Sequence, residues 1–364
     1  MVIMFKTHKR RPAVIAGLIA AVALIASACT GTATTSGNAT ASGNGSERPL
    51  TVLTSFYPLQ FVASEVAGDR ATVINLTPPA ADPHDLELSM AAANQINHAD
   101  VVVTLGGFQP AVDQAIEARN PARVVDAADY VDLLPASGSH SHSDDDDHSH
   151  ADDDHSHVDA DDDHDGDDHS HDDHSDDESD GHGHGHSHDI GGYDPHFWLD
   201  PIRLGALAEP IANALSEAEP DYADYFHANA ANLVERLAEL DAEFKTGLAP
   251  FAGAKLVTSH EAFAYLAARY GLTQVGISGI DPDIEPSPAR LREIAEVVRE
   301  NNVGTIFYET LLSPRVVQTL ASDIGVRAAV LNTVEGLTTT EQNAGEDYFS
   351  IMRANLATLK EHLQ

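Results

Sequence analysis

Apolar, β-branched runs recur along the chain at residues 50–55, 71–77, 100–105 and 123–126, and again at 255–260, 273–278, 303–308 and 326–331. Helical patterns, such as those at 289–301 and 313–324, lie between most of them. Short apolar runs alternating with helices predict parallel sheets of the α/β class, here four strands followed by four more. The two groups are joined by a segment with a 3.6-residue repeat. Its apolar positions are Tyr222, Tyr225, Phe226, Leu233, Val234, Leu237, Leu240, Phe244 and Leu248, and neither Pro nor Gly interrupts it before Gly247. Pro220 and Asp221 supply a start signal and Gly247 a stop. At 1.5 Å per residue such a helix would form a rod about 40 Å long. The expected architecture is two four-stranded parallel-sheet lobes on one long rigid helix, with a ligand in the cleft between them. The corresponding division is a first lobe over 49–220, a linking helix over 221–248 and a second lobe over 249–364.

The first residues read differently. Lys6, Lys9, Arg10 and Arg11 precede an apolar run at 13–26 and then small residues, the layout of a secretory signal peptide over 1–28. The run is short of the roughly 20 apolar residues that a membrane span needs. The only cysteine, Cys29, follows Ile25-Ala26-Ser27-Ala28. This string resembles a bacterial lipobox, with Ala26 where Leu is usual, and implies that Cys29 is lipidated and becomes the mature N-terminus. Residues 29–48, rich in Gly, Ser, Thr, Ala and Asn, then act as a flexible tether. An anchor and a tether predict a folded part that works at the outer face of the cytoplasmic membrane.

Charge sharpens the picture. The 364 residues contain 58 acids against 20 Lys and Arg, a formal net charge of -38. Residues 139–188 hold 20 of those acids, 14 of the 21 histidines and no Lys or Arg, so the rest carries 38 acids against 20 bases, or -18. Nothing in such a balance neutralises a row of phosphates, which excludes nucleic acid as a partner. Electrostatic docking on anionic lipid is excluded likewise. A single Cys permits neither an internal disulfide nor a Cys-rich zinc site. The 139–188 run itself is expected to be disordered, and its histidines form a compositional metal-binding signal. These are His140, His142, His148, His150, His155, His157, His164, His169, His171, His174, His182, His184, His186 and His188.

Outside the leader and this run six histidines remain: His84, His98, His196, His227, His260 and His362. His84 (in Asp82-Pro83-His84-Asp85), His196 (in Asp194-Pro195-His196-Phe197-Trp198) and His260 (in Ser259-His260-Glu261) are expected just past strand ends. Open α/β sheets bind ligands at that edge. Glu335, after the last run, belongs to the same edge. Three neutral imidazoles and one carboxylate suit tetrahedral Zn2+, whereas Mn2+ and Fe2+ favour more carboxylate oxygen and higher coordination. Asp85, Asp194, Asp200 and Glu261 are close enough in sequence to orient imidazole N–H groups.

At these residues the chain resembles the metal-binding solute-binding proteins of bacterial ABC importers, in their zinc-uptake branch. The resemblance covers about residues 49–364. It rests on Pro-His-x-x-Glu at 83–87, Pro-His-x-Trp-Leu-Asp-Pro at 195–201, Ser-His-x-Ala-Phe-x-Tyr at 259–265, and 307–325 with Glu309 and Ser313-Pro314. It implies two α/β lobes on a rigid helix and the ligand set His84, His196, His260 and Glu335. It also implies Zn2+ as transported cargo and an ABC permease as membrane partner. Manganese and iron members tend to carry a carboxylate where this chain has His260. Glu309 reads as a structural cleft residue. Zinc importers of this kind often carry a His-rich loop where 139–188 stands, which points to weak exchangeable sites that raise the local metal concentration.

The function expected is therefore that of a non-enzymatic, monomeric zinc receptor. Three alternatives use the same residues: a manganese or iron receptor, a zinc hydrolase and a surface adhesin. Against the hydrolase, His-Glu-x-x-His is absent from the sequence, and four protein ligands would leave no open position.

Overall fold

The computed structural model describes residues 49–136 and 192–363. The expected signal peptide, Cys29 with its tether and the His/Asp-rich run lie outside the described residues.

The first half begins β1 (Leu50–Thr54), α1 (Tyr57–Ala67), β2 (Ala71–Asn75), α2 (Met90–Ile96) and β3 (Val101–Thr104). It continues with α3 (Pro110–Arg119) and β4 (Val124–Asp126), then α4 (Pro201–Gly205) and α5 (Ala208–Ala218). The long helix α6 spans Ala223–Leu248, 26 residues, and single 3-10 turns at Pro220–Tyr222 and Ala249–Phe251 extend it at both ends. The second half runs β5 (Lys255–Thr258), α7 (Ala264–Tyr270), β6 (Thr273–Gly276), α8 (Pro288–Glu300) and β7 (Thr305–Tyr308). It closes with α9 (Arg315–Ile324), β8 (Arg327–Val330), α10 (Thr339–Ala344) and α11 (Tyr348–His362).

Every strand pairing is parallel, in the orders β2-β1-β3-β4 and β6-β5-β7-β8. The eight described strands begin within two residues of the apolar runs in the sequence; the signal is plainest for the central strands β1, β3, β5 and β7, which are covered on both faces. In the first sheet Val52 and Val103 face the main core, while Leu53 and Val102 pack with Ile96 and Val112 on the other side. The second sheet does the same with Val257 and Ile306 against Ile294, Val298 and Val317 from α8 and α9.

Helix α6 buries Phe226, Ala230, Leu233, Leu237, Leu240, Phe244 and Leu248, a stripe at spacings of three and four. Tyr225 and Val234, expected on that stripe, are exposed. One position on the buried side is charged: Asp241, held by Arg269, Lys245 and Tyr270. Helices α1, α4, α5 and α11 all pack on α6, and one apolar core runs through both halves, from Val52 and Phe61 to Tyr348 and Leu359. Gly68 ends α1 at φ 56, where a side chain would collide with the Tyr225 hydroxyl of α6.

Candidate metal centre

Both sheets change winding direction between their central strands, β1/β3 and β5/β7. At such a switch point the loops leave in opposite directions and open a crevice. His260 follows β5 and Glu309 follows β7, so the second sheet's crevice lies between them. Glu335 follows β8, and His84 lies on the loop after β2. His196 departs from the expectation of a strand end. A loop delivers it just ahead of the 3-10 turn Phe197–Leu199, beside the isolated antiparallel bridge between Pro135 and Tyr193.

These four side chains converge. One ligand-capable atom from each of His84, His196, His260 and Glu335 lies within 4.8 Å of all the others. The Nε2 atoms of His196 and His260 face each other at 3.3 Å. Glu335 Oε1 lies 3.0 Å from His196 Nε2, 3.5 Å from His84 Nε2 and 3.8 Å from His260 Nε2. Tetrahedral bonds of 2.0–2.1 Å imply a donor–donor edge of about 3.4 Å. The observed distances bracket that value. His196, His260 and Glu335 are buried, and the ring of Phe108 stands edge-on to His84 at 4.9 Å.

Local chemistry fixes two of the imidazoles. The tripeptide Asp-Pro-His occurs twice, at 82–84 and 194–196, and builds the same turn each time: Asp82 Oδ1 and Asp194 Oδ1 each accept the backbone N–H of the histidine two residues on, at 2.9 Å. Asp194 Oδ1 also takes Nδ1 of His196 at 2.7 Å. Nδ1 of His260 meets Glu309 Oε1 at 2.6 Å, and Ser259 Oγ donates to the same oxygen. With Nδ1 committed to a carboxylate, the Nε2 of each ring points into the cluster. Gln109 supports the His84 loop, donating through Nε2 to the Pro83 carbonyl and to Thr77 Oγ1, both at 3.1 Å.

Glu335 is presented by an unusual backbone. Val334 has φ 60, in the left-handed region that β-branched residues avoid. Asn332 Oδ1 accepts the Val334 N–H at 2.7 Å, and Asn332 is held in turn by Asn355 of α11 and Glu341 of α10. Trp198 Nε1 donates to the Thr333 carbonyl at 2.8 Å, tying the His196 segment to the Glu335 loop. Tyr265, from the second half, donates to the Asp194 carbonyl at 2.6 Å and accepts the Leu134 N–H at 2.7 Å.

The electrostatics are those of a cation site. Burial disfavours an imidazolium at His196, but Asp194 and Glu335 outweigh it and push its pKa up to about 10. His260 is raised too: burial opposes this, while Glu309 and Glu335 prevail. Burial also works against ionised Glu335, yet hydrogen bonding to His196 and His84 holds it well below the usual carboxylate range. The negative potential that keeps protons on these nitrogens is the same one a divalent cation would meet.

Of the acids expected to orient imidazoles, Asp194 does so. Asp200 instead caps α4 and pairs with Arg203 and Arg269. Asp85 instead stands beside Asp283 and raises the pKa of that carboxyl. The Nδ1 partner of His260 is Glu309 rather than Glu261, which correlates with no sequence spacing because β5 and β7 are neighbours only in space. The repeated Asp-Pro-His string is the sequence signal for the turns that hold His84 and His196. Of the other histidines, His98 and His362 lie apart from the cluster, and His227 pairs with Glu209 on α5.

Residues 52–362 match the family described as "ZnuA: Zinc-uptake complex component A periplasmic". The chain is 33% identical over 320 residues to the zinc-binding lipoprotein AdcA of Streptococcus pneumoniae (strain ATCC BAA-255 / R6), covering 86% of this chain but 55% of that protein. It therefore spans about half the length of that relative. It is 32% identical over 318 residues to the high-affinity zinc uptake system protein ZnuA of Bacillus subtilis (strain 168), covering 86% of this chain and 88% of that one. Among solved structures it is similar to the Zn(II)-bound ZnuA-like domain of Streptococcus pneumoniae AdcA. The TM-score is 0.64 at 32% identity, over 86% of this chain and 99% of that chain.

Proposed function

The chain belongs to the family of periplasmic zinc-uptake complex component A proteins, and we propose that it is an extracytoplasmic receptor that captures Zn2+ and passes it to the membrane permease of an ABC importer. The observation that carries this reading is the convergence of half-buried His84 with buried His196, His260 and Glu335 at near-tetrahedral spacing. Zn2+ is cargo here, held by all four side chains. Three imidazoles against one carboxylate favour zinc over manganese or iron. Four protein donors close the coordination shell and leave no position for a reacting water, which supports a binding protein over a hydrolase.

The rest of the molecule is read to match. Residues 1–28 are the export signal, and Cys29 carries the lipid that holds the protein at the outer face of the membrane through the 29–48 tether. Residues 49–220 and 249–364 are the two lobes, 221–248 joins them, and the protein acts as a monomer. The histidines of 139–188 collect zinc beside the tight site.

Calorimetric titration tests the central claim. The intact chain should bind zinc tightly, and His260→Ala should lose orders of magnitude in affinity while His98→Ala loses almost none. Zinc binding at pH 8 should also release protons, seen as a dependence of the heat on buffer ionisation enthalpy. Free imidazole, with a pKa of about 6.5, has few protons to give there, but His196 does. Unchanged zinc affinity in His260→Ala would sink the assignment.

A further inference from the structure

Glu309 belongs to no sequence neighbourhood of the metal-site residues, yet it touches one of them. It stands just past β7, at the switch point of the second sheet, and reaches across to the end of β5. The residue is buried, and both its observed partners lie on one oxygen: Oε1 accepts from Ser259 Oγ and from His260 Nδ1. Its other oxygen, Oε2, is buried with no hydrogen-bond partner among the described residues. A buried carboxylate left half satisfied is costly, and a protein retains one where it serves a purpose.

We propose that Glu309, acting through His260, is the positioning residue that gives the site its preference for Zn2+ over Mn2+. The inference rests on the zinc-receptor reading and deepens it. Two consequences follow from the geometry. First, the bond to Nδ1 fixes the tautomer and the ring angle of His260, so that Nε2 stands 3.3 Å from Nε2 of His196, close to the edge of a compact tetrahedron. A ring turned over by 180° would lose the carboxylate and move its donor nitrogen away. Second, the Ser259 and His260 donors commit Glu309 Oε1, so this carboxylate, like Asp194 at His196, orients an imidazole. A larger ion that favours oxygen donors and higher coordination finds nitrogen at fixed, short spacing instead. Zn2+ depends on that placement more than Mn2+, which takes water readily into its larger shell.

Glu309→Ala, Glu309→Gln and Ser259→Ala in the full chain test this, with Zn2+, Mn2+ and Co2+ as probes. Glu309→Ala should weaken zinc binding roughly 10- to 100-fold, the usual effect of losing such a partner, and manganese binding by much less, so the Zn2+/Mn2+ affinity ratio falls. Glu309→Gln keeps an acceptor of the same shape without the charge and should fall between Glu309→Ala and the intact chain; it carries the test should the alanine variant fail to fold. Ser259→Ala should have a smaller effect in the same direction. Bound Co2+ supplies a reading that mere stability would not move: the strong visible absorption of a tetrahedral ion should weaken in Glu309→Ala as water enters the shell. Glutamine and alanine variants that both keep the intact chain's Zn2+/Mn2+ ratio and Co2+ spectrum would overturn the proposal while leaving the receptor reading intact. Failure of the intact chain to bind zinc would overturn both.

Discussion

Val334 shows what a single residue contributes to the candidate site. Its side chain is fully buried, yet its φ of 60 suits glycine. Such strain costs about 1–3 kcal/mol and persists only where surrounding contacts enforce it. Here Asn332 takes its N–H and Trp198 takes the carbonyl of Thr333, and the next residue, Glu335, is thereby turned inward. Val334→Ala would lose apolar burial, worth about 1–2 kcal/mol, and keep most of the strain. Val334→Gly would lose one buried carbon more, about 0.8 kcal/mol, but relieve the strain. Urea denaturation of the metal-free protein should therefore find Val334→Gly at least as stable as Val334→Ala, against the usual order of these residues in folded chains. The reverse order would mean that the backbone here is not strained. No spacing rule predicts this position, because nothing about a valine in sequence announces a left-handed backbone.

At the scale of elements, helix α6 is where pattern and structure agree most closely; besides the exposed Tyr225 and Val234, one departure is the most informative. The periodicity of Phe226, Leu233, Leu237, Leu240, Phe244 and Leu248 is legible because packing helices on one side leaves the other side to water. Asp241 breaks the pattern, buried on the packed side. Burial works against its ionisation, but hydrogen bonds from Arg269 and Lys245 outweigh this and hold its carboxyl below the ordinary range. Arg269 also reaches Asp200 at 3.2 Å, at the start of α4. One guanidinium on α7 thus joins the long helix to the segment that carries His196. Arg269→Ala would leave two buried carboxylates without their shared cation and should cost about 3–5 kcal/mol of stability. Thermal or urea unfolding at neutral pH checks it. A loss below 1 kcal/mol would show that Lys245 and Arg203 suffice.

Over the whole molecule, the two halves share one core and are cross-tied at the cleft by Trp198 to Thr333, Tyr348 to the Trp198 carbonyl, and Tyr265 to both Leu134 and Asp194. A cluster assembled from four loops stays in register only if the loops are fastened to each other in this way. The proposal that the His/Asp-rich run collects metal is tested at the same scale. Deleting 139–188 should then lower the number of zinc equivalents bound in calorimetry while leaving the tightest one in place. A deletion that retains every equivalent would mark the run as a passive acidic spacer. Much of this organisation was written in one dimension. Strands covered on both faces read as apolar runs, the long helix reads as a period, and His84, His196, His260 and Glu335, which converge in space, stand out in sequence by their places after apolar runs and by the Pro-His and Ser-His strings around the histidines. Tertiary structure alone decided that Glu309 rather than Glu261 holds His260, that Asp200 caps a helix instead of orienting an imidazole, and that Val334 turns Glu335 inward. Periodicity survives in sequence because burial acts on every residue of an element alike. The partner of a buried polar group is chosen by which strands become neighbours, and that distance exists only once the chain has folded.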